Sequence, residues 1–173
     1  VGAGNVLGDL LDSGTVPSKR LTRIFRQAQQ SRIITNAHRI NQGLFPEPDP
    51  RIPPEADFFW VEQDNPERVR DVILEVLTER MPKIYGLDPL NDVQVLTPMH
   101  KGLVGTMELN RMLQERLNPT GRKIDRGGLR EFRVGDRVLQ TRNNYELEVF
   151  NGDLGRILEY DREGGEVLVS IDG

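Results

Sequence analysis

From Asn65 to Leu77 the chain sets Val69, Val72, Ile73, Val76 and Leu77 on one face of a 3.6-residue period. Proline directly after Asn65 occupies the first helical position, where its missing N–H costs nothing. Two short apolar runs flank this helix, residues 57–61 (DFFWV) and 92–96 (DVQVL), and both read as strands. A third extended piece covers residues 19–24. Asn5 is placed to cap a first helix carrying Val6, Leu7, Leu10 and Leu11, stopped by Gly14. Ser31 is placed to cap a second with Ile33, Ile34, Ala37 and Ile40 on one face, closed by Gly43. A fourth carries Val104, Met107, Leu109, Leu113 and Leu117. This alternation of helix and strand predicts an α/β fold, a mainly parallel sheet covered by helices. The Pro-rich stretch 45–56 (FPEPDPRIPPEA) is neither helix nor central strand and is expected on the surface.

After Pro119 the texture changes to Gly, Arg and short β-like runs at 130–133, 136–140, 155–160 and 166–171. Residues 161–165 (DREGG) form a turn between the last two, so 155–172 reads as a β-hairpin. A boundary near 150 is expected, with 151–173 beginning a small β-barrel.

Composition narrows the function classes. A net charge of −4 argues against a generally basic nucleic-acid coat, so any such contact must be local. The chain has no cysteine, which excludes disulfides and thiolate sites and fits the cytosol. No signal peptide and no membrane-length apolar run occurs. The two histidines, His38 and His100, lack a carboxylate cluster, so no metal site is expected. There is no G-x-x-x-x-G-K-[ST] loop. Without an initiator Met, and ending abruptly, the chain reads as a piece of something larger.

Three segments can carry chemistry. Phe25-Arg26 lies at the end of an extended run just before a helix, where an aromatic ring can stack on a purine and a guanidinium can clamp a phosphate. A core phenylalanine beside a solvated arginine is the plainer reading of the same pair. Residues 97–106 (TPMHKGLVGT) leave a strand and open a helix, whose N-terminal N–H groups favour an anion, with Lys101 and Thr106 as further donors. The alternative is an ordinary loop with glycines serving its turns. In Thr141-Arg-Asn-Asn-Tyr145 and Val149-Phe-Asn-Gly-Asp-Leu-Gly155, Arg142 can meet phosphate, Asn143 and Asn144 can bond bases or backbone, and Tyr145 or Phe150 can stack. Asn151, Gly152 and Asp153 are equally turn formers. Arg20, Arg23, Arg122, Lys123 and Arg126 read as a solvated surface.

Taken in order, Val1-Gly-Ala-Gly-Asn-Val-Leu7, Leu21-Thr-Arg-Ile-Phe-Arg-Gln27, Asn36-Ala-His-Arg-Ile-Asn41, Val95-Leu-Thr-Pro-Met-His-Lys-Gly102 and Gln140-Thr-Arg-Asn-Asn-Tyr145 with Phe150-Asn-Gly-Asp-Leu-Gly155 resemble the RecD-like helicases of superfamily 1. That family includes the exodeoxyribonuclease V alpha subunit and stand-alone relatives. The resemblance implies an ATP-driven 5′→3′ DNA helicase of two RecA-like domains, acting in recombination and repair. By it, residues 1–150 are part of the second RecA-like motor domain and 151–173 begin an inserted SH3-type barrel.

By the same resemblance Phe25 stacks on adenine, where the family usually has Tyr, and Arg26 is the catalytic arginine that reaches the γ-phosphate. Pro98, His100, Lys101, Gly102 and Thr106, with Arg142, Asn143, Asn144, Tyr145 and Asn151, are similar to residues that line the single-strand track. The implied cofactors are ATP and Mg²⁺, bound mainly by a first motor domain upstream. The implied partners are single-stranded DNA, that first motor domain and other exodeoxyribonuclease V subunits, with no membrane. Two alternatives stand beside this: a non-catalytic DNA-binding or assembly subunit that keeps the fold, and a protein-interaction module centred on the terminal barrel.

Overall fold

The computed structural model describes residues 4–19, 30–124 and 131–171. The chain divides into two units, Val1–Trp60 and Val61–Gly173.

In the first unit, α1 (Val6–Ser13) ends where Gly14 takes φ 64°, a left-handed position that glycine adopts without strain. Asn5 precedes it but makes no side-chain cap. α2 (Arg32–Asn41) is capped as its sequence predicts, Ser31 Oγ accepting from the Ile34 N–H at 3.3 Å. A second acceptor also serves this end, because Asp57 Oδ1 takes the Arg32 N–H at 2.9 Å. The Pro-rich stretch then folds back on α2. Asn36 donates to the Glu47 carbonyl and accepts from the Glu47 N–H, both at 2.8 Å. The Glu47 carboxylate sits between Arg32 at 3.2 Å and Arg39 at 3.1 Å. Further along, Asp49 accepts from the Arg51 guanidinium and from the backbone N–H groups of Arg51 and Asp57. A segment that cannot form a ladder of its own therefore finds its hydrogen bonds through three side chains.

The second unit opens with α3 (Pro66–Glu75). Asn65 Oδ1 accepts from the N–H groups of Glu67 and Arg68, and Pro66 fills the first position. The helix runs on with wider, π-type turns over Val76–Tyr85, which contain Pro82 and bury Leu77. Gly86, at φ 67°, ends it. α4 (Thr106–Leu117) buries Leu109 and Met112.

Five short strands follow among the described residues. β1 (Lys123–Ile124) pairs antiparallel with β2 (Phe132–Arg133), Ile124 opposite Phe132. β3 (Arg137–Leu139), β4 (Leu154–Asp161) and β5 (Glu166–Ile171) form an antiparallel sheet in chain order. The β4–β5 hairpin is the one the sequence predicts, with a register shift between Ile157 and Glu159. Its sheet also takes in β3, which lies before residue 150. Ile124, Ile157 and Tyr160 are the buried centre, with Val134, Val138, Val167 and Val169 packed against them.

The expected mainly parallel sheet is not seen among the described residues, and of its three expected strands the 19–24 piece lies, but for Lys19, outside them. Among the described residues both sheets are antiparallel and lie within 123–171. Residues 57–61 and 92–96 carry no strand pairing, and Trp60 and Leu96 are largely exposed, Leu96 to 87%. Apolar and β-branched content makes a segment fit to be a strand, but it becomes one only beside a partner whose ladder it can join. Among the described residues the structure therefore has four α-helices and small antiparallel sheets. Arg122 is exposed, as its reading expects, and also makes specific contacts. Its guanidinium lies 5.8 Å over the Tyr160 ring and donates to the Tyr160 carbonyl.

Candidate nucleic-acid interface

Two loops of the second unit hold the candidate strand-binding residues. Phe25 and Arg26, the candidate nucleotide residues, lie outside the described residues, as do Arg20, Arg23 and Arg126.

Residues 97–106 lead into α4. Thr97 Oγ1 donates to the Val104 carbonyl at 2.8 Å, closing the loop from side to side. Gly102 takes φ 89°, and Gly105, the residue before the helix, is buried against the preceding turn. A Cβ at Gly105 would stand 2.5 Å from the Lys101 carbonyl oxygen, so this approach requires glycine.

The start of α4 is more closed than its sequence suggests. The Thr106 N–H donates to the Met99 carbonyl at 3.0 Å, and the Met107 N–H to the His100 carbonyl at 3.4 Å. Two N–H groups expected to be free for an anion are thus taken up by the loop. His100 Nδ1 and Thr106 Oγ1 are 2.8 Å apart and hydrogen-bonded, so this pair also serves the loop. Pro98, His100, Lys101 and Gly102 are exposed, and Thr106 is half-buried. Lys101, exposed, is left as the cation of this loop without a side-chain hydrogen bond or ion pair among the described residues.

Residues 140–153 join β3 to β4. At the base, the Gln140 N–H donates to the Asp153 carbonyl at 2.8 Å and the Gly152 N–H to the Gln140 carbonyl at 2.9 Å. Further out, Asn144 and Val149 exchange backbone bonds of 2.7 and 3.0 Å as an isolated antiparallel bridge. The tip between them holds Glu148 at φ 54°, a left-handed residue that is not glycine.

The asparagines here act on the backbone. Asn143 Oδ1 accepts the Asn151 N–H at 2.8 Å, while Asn144 Oδ1 accepts the N–H groups of Glu146 and Leu147. Asp153 Oδ2 accepts the Phe150 N–H at 2.6 Å. What the loop offers outward is different in kind. The Tyr145 and Phe150 rings meet edge to face, centroids 6.1 Å apart, with Tyr145 75% exposed. The Arg142 side chain is exposed and has no ion pair among the described residues. The loop thus presents an aromatic pair and a guanidinium, held in place by the asparagines beside them.

One connection was not legible in the sequence. Asp136 is buried, and its carboxylate accepts from Gln114 Nε2 at 2.6 Å, Asn118 Nδ2 at 2.8 Å and the Arg133 N–H at 2.7 Å. No spacing rule points to it, because its side-chain partners, Gln114 on α4 and Asn118 just after it, are 22 and 18 residues away.

Among the described residues there is no group of three or more His, Asp or Glu side chains placed to hold a metal ion. Nor, among them, is any helix long and apolar enough to cross a membrane.

Residues 109–170 match the SH3 domain of ATP-dependent RecD-like DNA helicases. That match begins on α4 and runs through β1 to β4 and into β5 as far as Ser170. The chain is also similar to the ATP-dependent RecD2 DNA helicase of Deinococcus radiodurans, 38% identical over 162 residues. The similarity covers 91% of this chain and 20% of that protein, so the chain spans about a fifth of the relative's length.

Proposed function

Since this chain belongs to the RecD-like helicases of superfamily 1, we propose that it is part of an ATP-dependent 5′→3′ DNA helicase, supplying the γ-phosphate arginine and part of the single-strand track. The observation that carries this reading is the pairing of the 109–170 match with two loops that each leave a cation exposed, Lys101 and Arg142. In this reading the residues ahead of the matched domain belong to a second RecA-like motor domain, and 109–170 form the barrel unit set into it. Single-stranded DNA is the substrate, and a first motor domain is the partner that holds ATP and Mg²⁺.

Lys101 and Arg142 meet phosphates, while Tyr145 and Phe150 offer π-faces to bases. Asn143 and Asn144 support that surface, since Asn143 Oδ1 accepts the Asn151 backbone N–H and Asn144 Oδ1 accepts those of Glu146 and Leu147. Arg26 acts on the γ-phosphate, where its charge stabilises the transferring group and draws the two motor domains together. Hydrolysis removes that attraction, and the strand contacts alternate between grip and release.

Arg26→Ala in the full-length protein tests the reading. DNA-stimulated ATP hydrolysis should fall by roughly 10³- to 10⁵-fold while single-strand binding persists. Near-normal hydrolysis in that variant overturns the role of Arg26. A wild-type protein that binds strands and hydrolyses no ATP is instead the non-catalytic subunit.

A further inference from the structure

The turn between β2 and β3 gathers three segments that are distant in sequence. The Asp136 carboxylate receives Gln114 and Asn118 from α4, while the Arg133 guanidinium donates to the Asn118 and Pro119 carbonyls at the end of that helix. Arg137 reaches the Leu90 and Val93 carbonyls, at 3.1 and 3.0 Å, in the stretch that leads to loop 97–106. The backbone of the same turn is fixed to the barrel centre, with the Gly135 N–H on the Ile157 carbonyl at 2.8 Å and the Ile157 N–H on the Asp136 carbonyl at 3.0 Å.

The packing around Asn118 is close enough to need two glycines. A Cβ at Gly121 would stand 2.5 Å from the Asn118 carboxamide and 2.6 Å from the Val134 carbonyl oxygen. One at Gly135, where φ is +94°, would stand 3.3 Å from the same side chain. Asp136 is therefore a buried carboxylate held by three neutral donors. Removing it takes one acceptor from each carboxamide, leaving Gln114 only the Glu131 carbonyl and Asn118 only the Val134 carbonyl. It also strips the Arg133 N–H of its acceptor, so the link from Asp136 to the end of α4 is lost.

We infer that Asp136 is a positioning residue that locks helix α4 to the barrel, so that loop 97–106 and loop 140–153 move as one body. This rests on the proposed helicase reading. Both loops carry strand-binding residues, and one hangs from each side of the Asp136 contact. If that contact is rigid, a displacement at the start of α4 reaches the aromatic pair without loss. If it is slack, the two loops grip and release out of step, and ATP is hydrolysed without matched strand movement.

The test is the number of ATP molecules hydrolysed per base pair unwound, measured for the full-length protein with Asp136→Ala, Asn118→Ala and the double substitution. Asp136→Ala should keep single-strand-stimulated hydrolysis within about 2-fold of wild type and raise ATP consumed per base pair by about 10-fold. Asn118→Ala should move the ratio the same way, and the double variant should be no worse than Asp136→Ala, because both act through one contact. Should Asp136→Ala fail to fold, Gln114→Ala decides, since it removes one donor and leaves the buried carboxylate two others. Its ratio should rise by about 3-fold at unchanged melting temperature. An unchanged ratio in the folded variants, or equal losses of hydrolysis and unwinding, overturns the inference. A wild-type protein with no strand-stimulated hydrolysis overturns the helicase reading instead.

Discussion

Asn36 and Glu47 hold each other by both backbone groups of Glu47, the Asn36 carboxamide donating to its carbonyl and accepting from its N–H, each at 2.8 Å. Only 1% of Asn36 is exposed. A helix side chain thus substitutes for the strand that a Pro-rich segment cannot pair with.

Asn36→Ala removes two hydrogen bonds and strands a backbone donor and acceptor. It should cost about 2–6 kcal/mol, at roughly 1–3 kcal/mol for each unmet group, read as a lower urea midpoint at unchanged slope. Asn36→Asp keeps the acceptor and loses the donor, so its loss should be of the same sign. A variant with wild-type stability contradicts the clamp.

Asp49 gives the first unit an acid-sensitive point. Hydrogen bonding from Arg51 is the largest influence on its carboxyl and holds it well below its ordinary value of 3.8. With the folded pKa depressed, the stabilisation is complete above that ordinary value and is lost as pH falls through the lower folded one. Denaturation midpoints collected from pH 7 down to pH 2 should show a steeper acid decline in wild type than in Asp49→Asn. Parallel curves contradict the assignment.

Gly105→Ala would press a methyl group against the Lys101 carbonyl, an atom of the backbone that has little room to yield. Overpacking of this kind costs about 1–3 kcal/mol. The start of α4 should lose protection from hydrogen exchange first, because Thr106 and Met107 depend on the carbonyls of the same turn. Unchanged protection there means the turn adapts.

Arg142 and Asn143 are adjacent, and their substitutions should behave differently. Arg142→Ala should weaken binding to oligo(dT) and reduce the slope of log K against log salt by about 0.7, the share of one phosphate on a single strand. Asn143→Ala should weaken binding with little change in that slope, because it frees the Asn151 N–H and loosens the loop. Identical slopes for all three proteins contradict the division of labour.

Helix limits were legible because the signals are local. Ser31, Asn65 and Gly14 act on groups a few residues away, and so does the 161–165 turn that closes the β4–β5 hairpin. Whether residues 57–61 and 92–96 join a ladder was not legible, since pairing depends on a neighbour that periodicity does not specify. Thr106 and Asn144 illustrate a subtler limit. Their residue types fit a ligand contact, yet His100 engages the first and two backbone N–H groups the second. Sequence shows which donors a loop owns, and only the folded geometry shows which of them remain to be given away. Asp136 marks the opposite case, a residue with no local signature whose partners stand a full helix away.

The loop between β3 and β4 reaches its shape through its own hydrogen bonds, from the Gln140–Asp153 closure at its base to the Asn144–Val149 bridge below its tip. A molecule that lands on Tyr145 and Phe150 therefore meets a surface already stiff, and little conformational entropy is lost at the moment of contact. Calorimetry of such an encounter should return a heat-capacity change no larger than the apolar area covered by the contact itself, without the surplus that accompanies folding upon binding.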